Sequence, residues 1–351
     1  MKFVMESNQK RIPLWDMLKL FLIFLVIWGH CIKGFSTTNC DESTVYRIIY
    51  SFHMPLFMMI SGFFPVSSMS MSFWTFLRKK FWNLLYPCLI WGAIMWILFE
   101  SINSFHYGNE RFSILGLLVD YYWLSNFWFL KSCFICYVLA YIGLMFNKRR
   151  YLMLPMTLFL SQFISPHFVS FMYPCFIIGI FLHKKVFICW IKRHCLLISF
   201  LFFIMLLFWN KQMWDRSHGI PSDILNADIE VWLEILYARF FRHAIGIVGS
   251  LTFIACLHCI FKNDTKSEII HTCCDWGKYS LYIYVLQRVL LEEGLSNLIC
   301  MDSVEKVIYE FIVTFFVSVL LLLFFIYVSI VMSRSSVLEK WLWGKHRKVS
   351  C

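Results

Sequence analysis

Charge is scarce in this chain: only 15% of its 351 residues are Asp, Glu, Lys or Arg, while 60% are hydrophobic and 20% aromatic. With a mean hydropathy of +0.68, a soluble domain has no interior large enough to hide that apolar surface, so a polytopic membrane protein is implied. An internal repeat, a low-complexity linker and a separate soluble segment are also missing, and a single membrane domain over residues 1–351 is expected. No small-residue cleavage site follows the first apolar stretch, which outruns a signal-peptide core and is expected to remain as an anchor. Acidic residues number 21 against 32 basic ones, for a formal net charge of +11. The basic residues are parcelled out between apolar runs, as the positive-inside rule requires, so they report topology and not a nucleic-acid partner.

The 14 cysteines sit mostly singly in apolar runs, which excludes a secreted disulfide framework. Cys133 and Cys136 share one helix face by their i, i+3 spacing. Cys256-Leu-His258-Cys259 and His271-Thr-Cys273-Cys274 are zinc-ligand types flanking one short loop. Half of them belong to a hydrophobic helix end, and no metal is expected.

The apolar runs predict an all-α bundle of about ten transmembrane helices, near 13–32, 45–64, 81–99, 127–146, 151–164, 168–183, 195–209, 237–261, 279–291 and 307–332. Between the third and fourth, residues 100–126 read as a loop whose apolar insert Ile114–Val119 is too short to cross. The basic groups Arg78-Lys79-Lys80, Lys148-Arg149-Arg150 and Lys184, Lys185, Lys192, Arg193 alternate with loops poor in net positive charge, such as those holding Asp41, Glu42 and Glu292–Asp302. That alternation places both termini in the cytoplasm.

The first span carries Asp16, Lys19 and His30. Ionisable groups near the centre of a spanning helix cost roughly 2.5–3.5 kcal/mol each, so they mark function by default. The interval from Lys19 to His30 is close to three whole turns, about 16 Å of rise, which puts both side chains on one face. Asp16 lies at i, i+3 from Lys19, within pairing reach. The second span holds His53 just before Pro55, and then Ser61-Gly62. A mid-span proline frees a carbonyl that neighbours must satisfy, and the small Ser61-Gly62 step admits close approach of another helix. Lys131, Arg239 and Arg242 are further intramembrane or interfacial cations, for which snorkelling and substrate contact are both open.

Taken together, Lys19, His30 and the run His53-Met-Pro-Leu-Phe with Ser61-Gly62-Phe resemble the acyltransferase-3 family of integral-membrane O-acyltransferases. Arg78-Lys79-Lys80 leading into Leu84-Leu-Tyr-Pro87, Asn126-Phe-Trp128-Phe-Leu, and Gly277-Lys-Tyr-Ser280-Leu-Tyr-Ile-Tyr284 extend the likeness along most of the chain. The resemblance implies transfer of an acyl group, acetyl first, from cytoplasmic acyl-CoA to a hydroxyl of a surface or exported polysaccharide. It implies Lys19 with Arg78, Lys79 and Lys80 as contacts for the donor phosphates. His30 is then a general base or an acyl acceptor, with His53 beside it as a carbonyl-polarising or orienting group. Asp16, Ser61, Trp128, Tyr284 and Gln287 follow as supporting or substrate-lining residues. Its implied partners are membrane lipid and a polysaccharide or lipid-linked glycan in a bacterial inner membrane.

Two positions depart from the family pattern: Asn83, where a second arginine is frequent, and Gln287, where a histidine is frequent. Gln287 still donates and accepts hydrogen bonds but carries no charge. These departures keep a catalytically silent homologue open. A transporter or flippase is the other reading, against which stands the lack of a repeat.

Overall fold

The computed structural model describes residues 13–37, 40–64, 71–107, 127–145, 150–164, 168–182, 185–218, 228–263 and 268–344, and no strand occurs among them. The helices begin with α1 (Pro13–Gly34), α2 (Thr44–Phe63), α3 (73–107), α4 (Trp128–Met145) and α5 (Arg150–Ser161). They continue with α6 (Val169–Leu182), α7 (Lys185–Arg193), α8 (Cys195–Phe208), α9 (Lys211–His218) and α10 (Ile229–Asn263). Last come α11 (Glu268–Gly277), α12 (Ser280–Leu286), α13 (Lys306–Arg334) and α14 (Ser336–Trp343). Among the described residues, four helices suffice by length and composition to cross a bilayer (α1, the 73–98 part of α3, the 229–259 part of α10, and α13), or up to six if each of two bent pairs forms one span. The protein is a helical membrane bundle.

The bundle is built on α1, which packs against α2, α10, α11, α12 and α13. Leu18, Leu22, Ile23 and Ile27 of α1 are fully buried, so this helix is enclosed by protein as well as apolar. Pro13 opens it without losing a helical hydrogen bond. Its C-terminal end is pinned by Tyr309, whose hydroxyl donates to the carbonyls of Cys31 and Ile32. Trp28 Nε1 donates to Thr314 Oγ1 at 3.0 Å, tying the same end to α13.

The second helix starts at a Ser43 cap whose hydroxyl accepts from the Tyr46 amide. It stays helical through Pro55, with Gly246 of α10 packed against the proline ring and the Ser51 carbonyl. At Gly62 and Gly179 the backbones of α2 and α6 meet so closely that a Cβ on either would overlap a carbonyl of the other helix. The small step expected at Ser61-Gly62 is thus a helix crossing.

Two helix starts differ from the sequence expectation. The third helix begins at Phe73, not near 81, so Arg78-Lys79-Lys80 ride on it instead of preceding it. Phe76 is fully buried while Arg78 and Lys79 are exposed, and this amphipathic turn is what carries the helix past the basic cluster. Similarly, α10 begins at Ile229 and not near 237. Three π-turns, Phe81–Leu85, Gln287–Glu292 and Tyr309–Val313, interrupt the α-geometry. Such turns recur at functional sites because they re-aim side chains. The insert Ile114–Val119, Asn126, Lys148-Arg149 and Pro166 lie outside the described residues.

Candidate active site

Lys19 Nζ donates to Asp16 Oδ1 at 3.0 Å and lies 4.5 Å from the centre of the Phe64 ring. Above it opens a cavity of about 190 Å³ that follows α1 from Lys19 to Val26. Its lining is mostly apolar, with Ser61, Tyr137, Ser280 and Tyr284 as the polar members and Phe129 and Leu84 among the walls. Lys80 sits at the flank, its ammonium 3.5 Å from the centre of the Tyr137 ring. Tyr137 in turn donates its hydroxyl to the Ser61 carbonyl at 2.9 Å. The cavity therefore has a cationic end and an apolar shaft, which suits an amphipathic, anion-headed chain.

His30 stands one turn beyond Val26, outside the cavity lining. Its Nε2 lies 3.4 Å from Glu292 Oε1. Glu292 is held by two further groups: Gln287 Nε2 donates to Oε1 at 3.2 Å, and Arg288 Nη1 pairs with Oε2. Arg288 Nη2 also reaches Glu293 Oε1 at 2.7 Å. The π-turn from Gln287 to Glu292 presents this carboxylate to α1. Gln287 is 1% exposed, and its Oε1 is buried without a hydrogen-bond partner among the described residues.

His53 is 1% exposed, with Nδ1 at 2.7 Å from the Ile49 carbonyl. That contact requires a proton on Nδ1, which leaves Nε2 with its lone pair. The Tyr50 ring lies between the histidines, edge-on to His53 at 4.5 Å and 6.4 Å from His30. The arrangement can hold an imidazole beside a carboxylate at the end of an apolar shaft, the geometry of a general base with an orienting partner.

Among the residues singled out by sequence, Lys19, Ser61 and Tyr284 line one cavity, Asp16 pairs with Lys19, and Lys80 flanks it. His30, His53 and Gln287 gather around Tyr50 and Glu292. Arg78 and Lys79 are exposed on α3. Trp128 stacks edge-on with Phe168 and is not among the cavity residues, whereas its neighbour Phe129 is. Lys131 Nζ is buried with no hydrogen-bond partner among the described residues. No group of three metal-type ligands occurs among the described residues. The sequence alone does not single out Glu292, Arg288 and Tyr50, because Glu292 falls at the start of the charged loop that follows the ninth apolar run. The available signal was a second ionised pair at i, i+4 from Arg288, still within reach of the ninth span.

The family model described as "Acyltransferase domain", that of the acyltransferase-3 family, matches residues 12–334. Among curated proteins, the Nodulation protein NolL of Mesorhizobium japonicum is 31% identical over 137 residues, 38% of this chain. That of Sinorhizobium fredii is 29% identical over 136 residues, again 38% of this chain. The alignment spans 36% of the length of each relative. No solved structure matches the chain.

Proposed function

Because this chain belongs to the acyltransferase-3 family, we propose that it is a membrane O-acyltransferase moving an acetyl group from cytoplasmic acetyl-CoA to a hydroxyl of an exported or surface polysaccharide. The observation that carries this reading is the cavity along α1, with Lys19 at one end and the His30–Glu292 pair one turn past the other. Ten crossings with both termini in the cytoplasm, in a bacterial inner membrane, complete the proposal. They put Lys19 toward the donor and His30 toward the acceptor.

In this scheme the donor phosphates meet Lys19, with Lys80, Lys79 and Arg78 supplying further positive charge at the mouth. The thiol arm follows the apolar shaft, which delivers the thioester toward His30. The acceptor oxygen attacks the thioester carbonyl as its proton passes to the imidazole. The C–S bond breaks, and the leaving thiolate takes up a proton. Glu292 orients the ring and stabilises the imidazolium formed at that moment. His53, fixed in one tautomer by Ile49, supports the same site from α2. Attack by His30 itself on the thioester, followed by transfer to the sugar, uses the same residues. Single-turnover mixing with radiolabelled donor in the absence of acceptor separates the two routes, since only the second labels the protein.

His30→Ala is expected to insert into the membrane at wild-type level and to abolish protein-dependent esters on the host glycan, read by proton NMR. Retention of the esters in that variant would falsify the assignment of His30. Uptake of a glycan precursor into vesicles without ester formation would instead identify a transporter.

A further inference from the structure

Arg242 of α10 lies between two aromatic rings, its Cζ 4.5 Å from the centre of Phe171 and 5.6 Å from that of Trp214. Its Nε is buried with no hydrogen-bond partner, and no carboxylate among the described residues pairs with its guanidinium. Arg239, one turn earlier on the same helix, adds like charge. A lysine in such a place sheds a proton, but a guanidinium does not titrate in proteins, so its charge persists and calls for an anion. Cation–π contact offsets part of that cost without neutralising it.

Trp214 rides on α9, which leaves α8 at a bend of 92° and so lies across the end of the bundle. Its ring is 6.2 Å from Tyr50, and Tyr50 is 6.4 Å from His30. An aromatic path thus joins the guanidinium to the catalytic imidazole over a span that a short oligosaccharide covers. Trp214 is itself buried, at 6% exposure, so it holds the guanidinium in place, and the fixed cation is the element that recognises a charged sugar.

Building on the acyl-transfer reading, we propose that Arg242, held in place by Trp214, forms the acceptor-docking subsite and that the acceptor is an anionic glycan. Its carboxylate or phosphate takes the Arg242 guanidinium, and the neighbouring hydroxyl is presented to His30.

The test uses the full-length protein in proteoliposomes, acetyl-CoA, and the host's own surface polysaccharide after alkaline removal of its esters. That acceptor is offered untreated, carboxyl-reduced, or dephosphorylated with hydrofluoric acid. One of the two treatments is expected to raise the acceptor KM by about tenfold to a hundredfold, the worth of one charge-assisted contact. The treatment that does so identifies carboxylate or phosphate as the anion. Arg242→Gln should raise KM on the untreated glycan by a similar factor with kcat within about twofold, and should be indifferent to the effective treatment; Arg242→Lys should recover part of the loss. Equal KM for all three glycans with the wild-type protein overturns the subsite proposal while leaving acyl transfer intact. Failure to form protein-dependent esters on any of them overturns the acyl-transfer reading as well.

Discussion

An imidazole at the end of a helix turns freely about its side-chain bonds unless a neighbour fixes it, and for His30 that neighbour is Glu292. The carboxylate is itself held by Gln287 and Arg288, so the chain of contacts is rigid at one end and reaches the imidazole at the other. At 3.4 Å the His30–Glu292 contact is longer than a good hydrogen bond. Catalytic contacts of this kind commonly tighten when substrate binds. Glu292→Gln keeps the size of the side chain and removes the charge that, in the proposed mechanism, stabilises imidazolium. It is expected to lower kcat by about tenfold to a hundredfold with the donor KM little changed, measured as acetyl transfer in proteoliposomes. A rise in donor KM with kcat intact would instead place Glu292 in binding.

At the scale of elements, the C-terminal end of α1 is stapled by the segment that follows the π-turn from Gln287 to Glu292. Asp302 accepts from Ser36 Oγ at 2.7 Å and from the Thr37 amide at 2.8 Å. The Met301 amide donates to the Phe35 carbonyl at 2.7 Å. The hydrogen bonds from Thr37 and Ser36 hold the Asp302 carboxyl well below the usual carboxylate range. Because the folded form titrates lower than the unfolded one, the staple contributes fully above the unfolded pKa of about 3.9 and is lost as pH falls through the folded pKa. Thermal stability should therefore carry this group's full contribution, with no pH dependence from it, between about pH 5 and 8, and lose it only in strong acid. Asp302→Asn should speed amide hydrogen exchange at Thr37 and Met301 near neutral pH, while exchange in the buried middle of α1 stays slow. Unchanged exchange at those two amides would show that the staple does not hold the loop.

For the whole molecule, the distribution of lysine and arginine predicts an orientation before any packing is considered. A reporter active only in the cytoplasm, fused after Cys351, is expected to be active, and one inserted among residues 298–304 inactive; the reverse pattern would place His30 on the donor side and reverse the proposed direction of transfer. Composition and the order of the motifs determined that this is a helical membrane protein and that Lys19 and His30 share a face of its first helix, because both follow from hydropathy and from the 3.6-residue period of one continuous segment. The Ser61-Gly62 step was legible for the same reason. Tertiary structure alone decided that Glu292 meets His30, that Phe129 and not Trp128 lines the cavity, and that Arg242 lies against Trp214. Those contacts join residues far apart in the chain, and they depend on helix rotation, on a π-turn and on the bend between α8 and α9, none of which local periodicity encodes.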